Sequence, residues 1–146
     1  MADRVDPFRS FRFSVEIDGI TEAYFTEVTG IEASYDVIEF RSGELAGVAM
    51  KLPGMVHNTT ITLKQGVTDN MEIWEWFKGE PGMTGAVERK DVTIKAVDET
   101  GGTELAVWTF YDAWPCKYIA SDFNASESAV IIESLELAYE GFLRSK

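Results

Sequence analysis

The chain has 146 residues, the length of one ordinary domain, with 45% apolar and 26% charged residues, so a packed core is expected and a disordered tail is excluded. Lys and Arg number 13 against 25 Asp and Glu, a formal charge of −12 that excludes a basic footprint for nucleic acid and adhesion to anionic lipid. The excess of acid is shared by both halves of the chain, and Lys117 is the only cation between Ala96 and Leu143.

Phe11, Phe13, Val15 and Ile17 alternate with polar residues up to Asp18-Gly19, the pattern of a half-buried strand ending in a turn. Ala23–Gly30 and Glu32–Arg41 read as two more strands, the second losing its phase at Ile38, which predicts a bulge or a change of partner. Ser42–Gly54 reads as a loop, punctuated by Gly43, Gly47, Pro53 and Gly54, yet it carries Leu45, Val48, Met50 and Leu52. An apolar loop needs something to cover it.

Thr59–Gln65 alternates again, with Ile61 and Leu63 inward. One short helix follows, with Asp69 as its cap and Glu72 three residues on, Ile73, Trp76 and Phe77 on one face, and Gly79-Glu80-Pro81-Gly82 as its stop. Asp91–Asp98 and Thr103–Trp114 form a predicted hairpin that Trp114-Pro115 ends. Ser128–Phe142 reads as one closing strand whose apolar row is interrupted by Glu133. About seven strands and one helix predict a mainly β fold, two packed antiparallel sheets in a sandwich or barrel with one flanking α-helix, and a single domain over residues 1–146.

Catalytic chemistry finds little to use. His57 is the only histidine and reads as a hydrogen-bonded or solvated strand histidine, with no Gly-x-Ser-x-Gly elbow to pair with it. One histidine and one cysteine do not complete a zinc site, no Asp-x-Asp-x-Asp-Gly loop offers calcium ligands, and no glycine-rich phosphate loop is present. No catalytic residue, metal or cofactor is therefore expected. Asp69 with Glu72 is read as a capping box and Asp98-Glu99 as a hairpin end, while Trp74, Trp76, Trp108 and Trp114 are read as packing groups before a sugar or base platform. Cys116, the only cysteine, forms no intrachain disulfide and reads as a small buried hydrophobe. Met1–Pro7 has charges and a proline where a secretory signal has an apolar run, so cytoplasmic synthesis without a signal peptide is expected, and the sequons at Asn58 and Asn124 carry little meaning.

Lys51-Leu52-Pro53-Gly54, followed by the run from Thr60 through Gln65-Gly66-Val67-Thr68-Asp69 to Trp74-Glu75-Trp76-Phe77, resembles the tail tube proteins of contractile phages and of phage-like extracellular contractile injection systems. Asp6-Pro7-Phe8 with Phe11-Arg12-Phe13, Val28-Thr29-Gly30-Ile31 and Glu133-Ser134-Leu135-Glu136-Leu137 match the same family in order, so the resemblance covers nearly the whole chain. It implies a non-catalytic structural subunit whose strands join between copies into a ring-wide β-barrel, with hexameric rings stacked as a hollow tube. The implied partners are further copies of the chain, a sheath protein, baseplate and spike proteins, a terminator or cap, and an effector or phage DNA in the lumen, without sequence-specific nucleic-acid binding. The particle is either released or membrane-anchored.

On that reading, Ser42, Gly43, Glu44, Leu45, Ala46, Val48, Met50, Lys51 and Leu52 are expected to pack on a neighbouring subunit or the next ring, the alternative being that they fold over their own core. Glu16, Glu39 and Glu136, chosen from strand alternation, are the lumen-facing candidates of an expected acidic bore. A monomeric β-barrel that binds a small ligand through its aromatic residues is the competing reading.

Overall fold

The structure, a computed structural model, describes Asp6, Phe8 and residues 11–20, 25–41, 43, 47–123 and 130–146. Its elements are β1 (Arg12–Ile17), β2 (Glu27–Thr29), β3 (Ala33–Phe40), β4 (Met50–Asn58), β5 (Ile61–Gly66), α1 (Glu72–Lys78), β6 (Lys90–Val97), β7 (Glu104–Ala120), β8 (Ile132–Ala138) and β9 (Gly141–Arg144). Seven of the strands pair antiparallel in the order β1-β6-β7-β8-β5-β2 with β9 added to β7, and β3 pairs with β4 apart from them.

Strand β7 makes the sandwich. Its residues up to Ala113 pair with β6, and with β9 over Trp108–Tyr111, whereas Trp114–Ala120 pair with β8. Asp112, at φ 52°, and a register shift between Pro115 and Lys117 turn the strand between the two sets of partners. The sheet thus folds into a first layer, β1-β6-β7-β9, and a second layer, β7-β8-β5-β2. Val15, Ile17, Val92, Ile94 and Phe110 from the first meet Ile61, Leu63, Leu135 and Leu137 from the second in one buried cluster. Phe110 is fully buried, its ring 5.1 Å from that of Phe142 and 4.9 Å from that of Tyr139.

Several expected boundaries move. The strand expected over Ala23–Gly30 is only Glu27–Thr29, residues 21–24 lying outside the description. Trp114-Pro115 does not end β7, because beyond Ala113 this strand pairs only with β8 among the described residues, and a proline without an N–H is tolerated at an open edge. The single closing strand is two strands, β8 and β9, separated at Tyr139-Glu140 and paired with the two different halves of β7. Asp69 does not cap α1: Asn70 Oδ1 accepts the Glu72 N–H at 2.8 Å, one residue later than expected, and Met71 at the cap position makes no side-chain bond. At seven residues α1 is too short to stand alone. Buried Ile73 and Trp76 hold it, with Trp76 Nε1 donating to the Glu88 carbonyl at 2.7 Å.

Gly30 explains part of the Val28–Ile31 motif. Its φ is +92°, and a Cβ there would sit 2.6 Å from the Thr60 carbonyl oxygen as the chain leaves β2 beside β5. We expect Gly30→Ala to cost at least roughly 1–3 kcal/mol from the backbone conformation alone. A thermal melt indistinguishable from the unmodified chain would contradict this.

Candidate assembly surface

Strands β3 and β4 form a two-stranded arm, and among the described residues they hydrogen-bond as strands only with each other. Every residue of β3 is exposed. Direct cross-strand pairs place Ile38 with Leu52 and Phe40 with Met50 on one face, and Tyr35 with Val56 and Val37 with Pro53 on the other. Relative exposures of 52% at Ile38, 54% at Phe40 and 65% at Tyr35 leave both faces apolar and uncovered. A two-stranded ribbon is marginal alone in water, and an apolar patch of this extent marks a contact surface.

The arm corrects the reading of Ser42–Gly54 as a loop. Met50, Lys51 and Leu52 belong to β4; Gly43 and Val48 lie in the connection; Ser42, Glu44, Leu45 and Ala46 fall outside the described residues. Pro53 is accommodated because β4 has an open edge, and Gly54 because the strand carries an extra residue between Pro53 and Val56. The expected phase break at Ile38 is instead the second apolar face, and the bulge sits on the partner strand opposite Asp36. At the base of the arm, His57 Nε2 lies 2.8 Å from Asp36 Oδ2, the strand histidine that was expected.

The second layer is open at both sides. Its edges are β2 and the Trp114–Ala120 half of β7, and neither has a further strand partner among the described residues. Open edges of this kind invite pairing with another chain. At the strand positions, the layer's outward face carries Glu27 and Glu136 against Lys64 and Lys117, with Lys64 Nζ 3.5 Å from Glu27 and Lys117 directly across from Glu136. The structure does not gather the three glutamates chosen from alternation. Glu136 is on this face and accepts a hydrogen bond from Thr60 Oγ1 at 3.1 Å. Glu16 is on the first layer, 3.1 Å from Lys95, and Glu39 is on the arm opposite Lys51.

Sequence reading missed what Glu133 does, although its break in the apolar row was the signal. It is buried on the inner side of β8, accepting from Gln65 Nε2 with one oxygen and from the Tyr118 hydroxyl at 2.6 Å with the other. Trp74 and Phe77 of α1 cover Tyr118. Burial, and then the bond to Glu133, push the Tyr118 hydroxyl up to about 12. A raised phenol stabilises the fold fully below its ordinary value near 10, and this contribution disappears as pH climbs from 10 through about 12. Tyr118→Phe should flatten part of the alkaline limb of a stability–pH curve; an unchanged limb would refute the assignment.

Cys116 corrects another expectation. The bulge beside Pro115 turns it outward, so the residue is exposed, with its Sγ donating to the Glu136 carbonyl at 3.5 Å. Partial burial of the sulfur, and then Glu136, raise the thiol, which opposes thiolate formation. None of the four tryptophans is exposed. Among the described residues no group of three His, Cys, Asp or Glu could hold a metal, and no helix is long and apolar enough to cross a membrane.

A β-sandwich with open edges and an uncovered apolar ribbon is the architecture of a structural subunit that assembles. The chain belongs to the family of the T4-like virus tail tube protein gp19, whose model matches residues 9–143. It is similar to a chain of the extended-state sheath–tube complex of PVC, an extracellular contractile injection system, with 29% identity and a TM-score of 0.82 over 95% of this chain and 91% of that one. A chain in the tube-terminating cap of the anti-feeding prophage matches with 27% identity and a TM-score of 0.83 over 99% of this chain and 94% of that one. Hcp1 from Flavobacterium johnsoniae shares the fold at 20% identity and a TM-score of 0.55, over 91% of this chain and 94% of that one. No protein of curated function matches the chain in sequence.

Proposed function

We propose that this chain is the non-catalytic structural subunit of an inner tube, in a contractile injection system or a contractile phage tail. Residues 1–146 act as one tail-tube domain. Copies join β2 of one second layer to the Trp114–Ala120 edge of the next, closing hexameric rings that stack into a hollow tube. Sheath contraction drives the tube through a target envelope, and the bore conducts an effector or DNA. The observation that carries this reading is the combination of two open edges on one layer with an arm that buries neither face.

The partners follow from the same reading. Solved assemblies that contain similar chains include a sheath–tube complex, a sheath/tube terminator and a tube cap, which supports a sheath and a terminator or cap as partners here; a baseplate with its spike completes the proposed set. The subunit is made in the cytoplasm and ends in a phage-like particle. The outward face of the second layer lines the bore as a polar wall of paired charge, with Glu136 as its lumen residue, while Glu16 and Glu39 lie away from it. A cryo-EM map with the first layer facing the bore would refute this assignment.

Negative-stain microscopy of the purified chain at low and high concentration tests the whole. Rings or hollow rods are expected; a chain that stays monomeric even on a purified baseplate overturns the reading. Copies at −12 each repel, so screening should help them associate. Raising salt from about 0.1 M to 1 M shortens the Debye length from about 10 Å to 3 Å and should increase the yield of rods. Rods that dissolve in salt would mean instead that complementary ion pairs hold the copies together.

A further inference from the structure

At the end of the sandwich where β1 begins and β9 finishes, an apolar pocket of about 380 Å³ opens among Phe11, Phe13, Val28, Ile31, Trp108 and Arg144. Its polar group is the Arg144 guanidinium, which lies 5.5 Å from the Trp108 ring centre and donates through Nε to the Lys146 carbonyl at 2.8 Å. We infer that this pocket is the seat for the arm tip of a second copy of the chain, taking in Phe40 and Met50. The inference rests on the tube reading and deepens it by naming the surface that receives the arm.

Reach decides between the chain's own arm and another's. Phe40 stands at the far end of β3, seven residues beyond Ala33, and strands rise roughly 3.3 Å per residue, so the strand carries it about 23 Å from the base of the arm beside Ile31, a pocket residue. Size and chemistry agree as well. A cavity of about 150 Å³ takes one benzene ring, so about 380 Å³ has room for the Phe40 ring together with the Met50 chain. Phe40 and Met50 are a direct cross-strand pair on one face and so enter together. An apolar knob on one part of a molecule that fits a pocket on another part makes a head-to-tail contact, which repeats without closing on itself. A stack of rings requires a contact of that kind.

The test joins a crosslink to two obstructing variants. In a Cys116→Ser background, Phe40→Cys with Phe11→Cys is oxidised under assembly conditions. A ladder of dimers, trimers and higher species on a non-reducing gel is expected from the pair, and no ladder beyond dimer from either single cysteine. Phe40→Asp, at an exposed position, and Ala96→Phe, which fills the pocket from its wall, should each raise the concentration needed to pellet rods by at least about tenfold without lowering the melting temperature of the monomer. Normal rods from the cysteine pair without a ladder, with unchanged thresholds in both variants, overturn the pocket as the arm's seat and leave the tube reading standing. A wild-type chain that forms neither rings nor rods, even on a baseplate, overturns both. If a fluorescent fatty acid binds the wild-type chain, loses its site in Ala96→Phe and leaves rods unaffected, the pocket belongs to a small apolar anion and the inference is wrong.

Discussion

Ile38→Thr combined with Leu52→Thr is expected to abolish rods at concentrations where the unmodified chain assembles, while the monomer melts within about 2 °C of wild type. The two side chains face each other across the arm, exposed by 52% and 44%, and neither belongs to the buried core. Threonine keeps the β propensity of both strands, so the ribbon persists and only its apolar surface goes. Fully burying an aliphatic side chain is worth about 1.5–3 kcal/mol, and these two start about half exposed, so losing both at each contact removes about 1.5–3 kcal/mol, or roughly one to two orders of magnitude in association. Every subunit in a stack repeats the loss. Pelleting and negative stain read the outcome, and normal rods from the double variant would show that the arm is not a contact surface.

Glu133→Ala is expected to be among the most destabilising single substitutions in the second layer. It strands two donors, Gln65 Nε2 and the Tyr118 hydroxyl, beneath the aromatic cover of α1. An unsatisfied buried group costs about 1–3 kcal/mol, so the pair costs about 2–6 kcal/mol. The double variant Glu133→Leu with Gln65→Leu should recover most of the loss, because these residues are a direct cross-strand pair and replacing both by apolar groups leaves only Tyr118 without its acceptor. Chemical denaturation checks both. If the double variant is no more stable than Glu133→Ala, packing rather than hydrogen-bond satisfaction governs the site.

The sequence is most legible where one face of a strand is buried within the chain itself. β1 and β5 alternate cleanly because Val15, Ile17, Ile61 and Leu63 all point into one core. The arm is illegible for the same physical reason: neither face has an inside, so the period-2 signal has no polar half, and Ile38 looks like an error in phase. Prolines misled twice, at Pro53 and at Pro115. Both mark strand ends to a reader who expects ladder bonds on each side, yet both lie inside strands that have, among the described residues, an open edge, where a missing N–H costs little. Of the assembly surface, the apolar residues around Met50 were visible as a loop without a partner. The open edges of β2 and β7 were not, since they depend on pairings between residues as distant as Lys64 and Ser134. The helix was found, but its cap was displaced by a residue, which is the scale on which Asp and Asn compete for the same role.

The length of β7 has a mechanical meaning. One unbroken backbone runs through both layers, with a turn at Asp112 and no loop between them. A push delivered to the first layer therefore reaches the second along covalent bonds, while the ladders to β6 and β8 share the shear over many hydrogen bonds at once. A subunit joined in this way resists delamination under thrust, and a tube of such subunits behaves as a stiff rod whose wall moves as one piece.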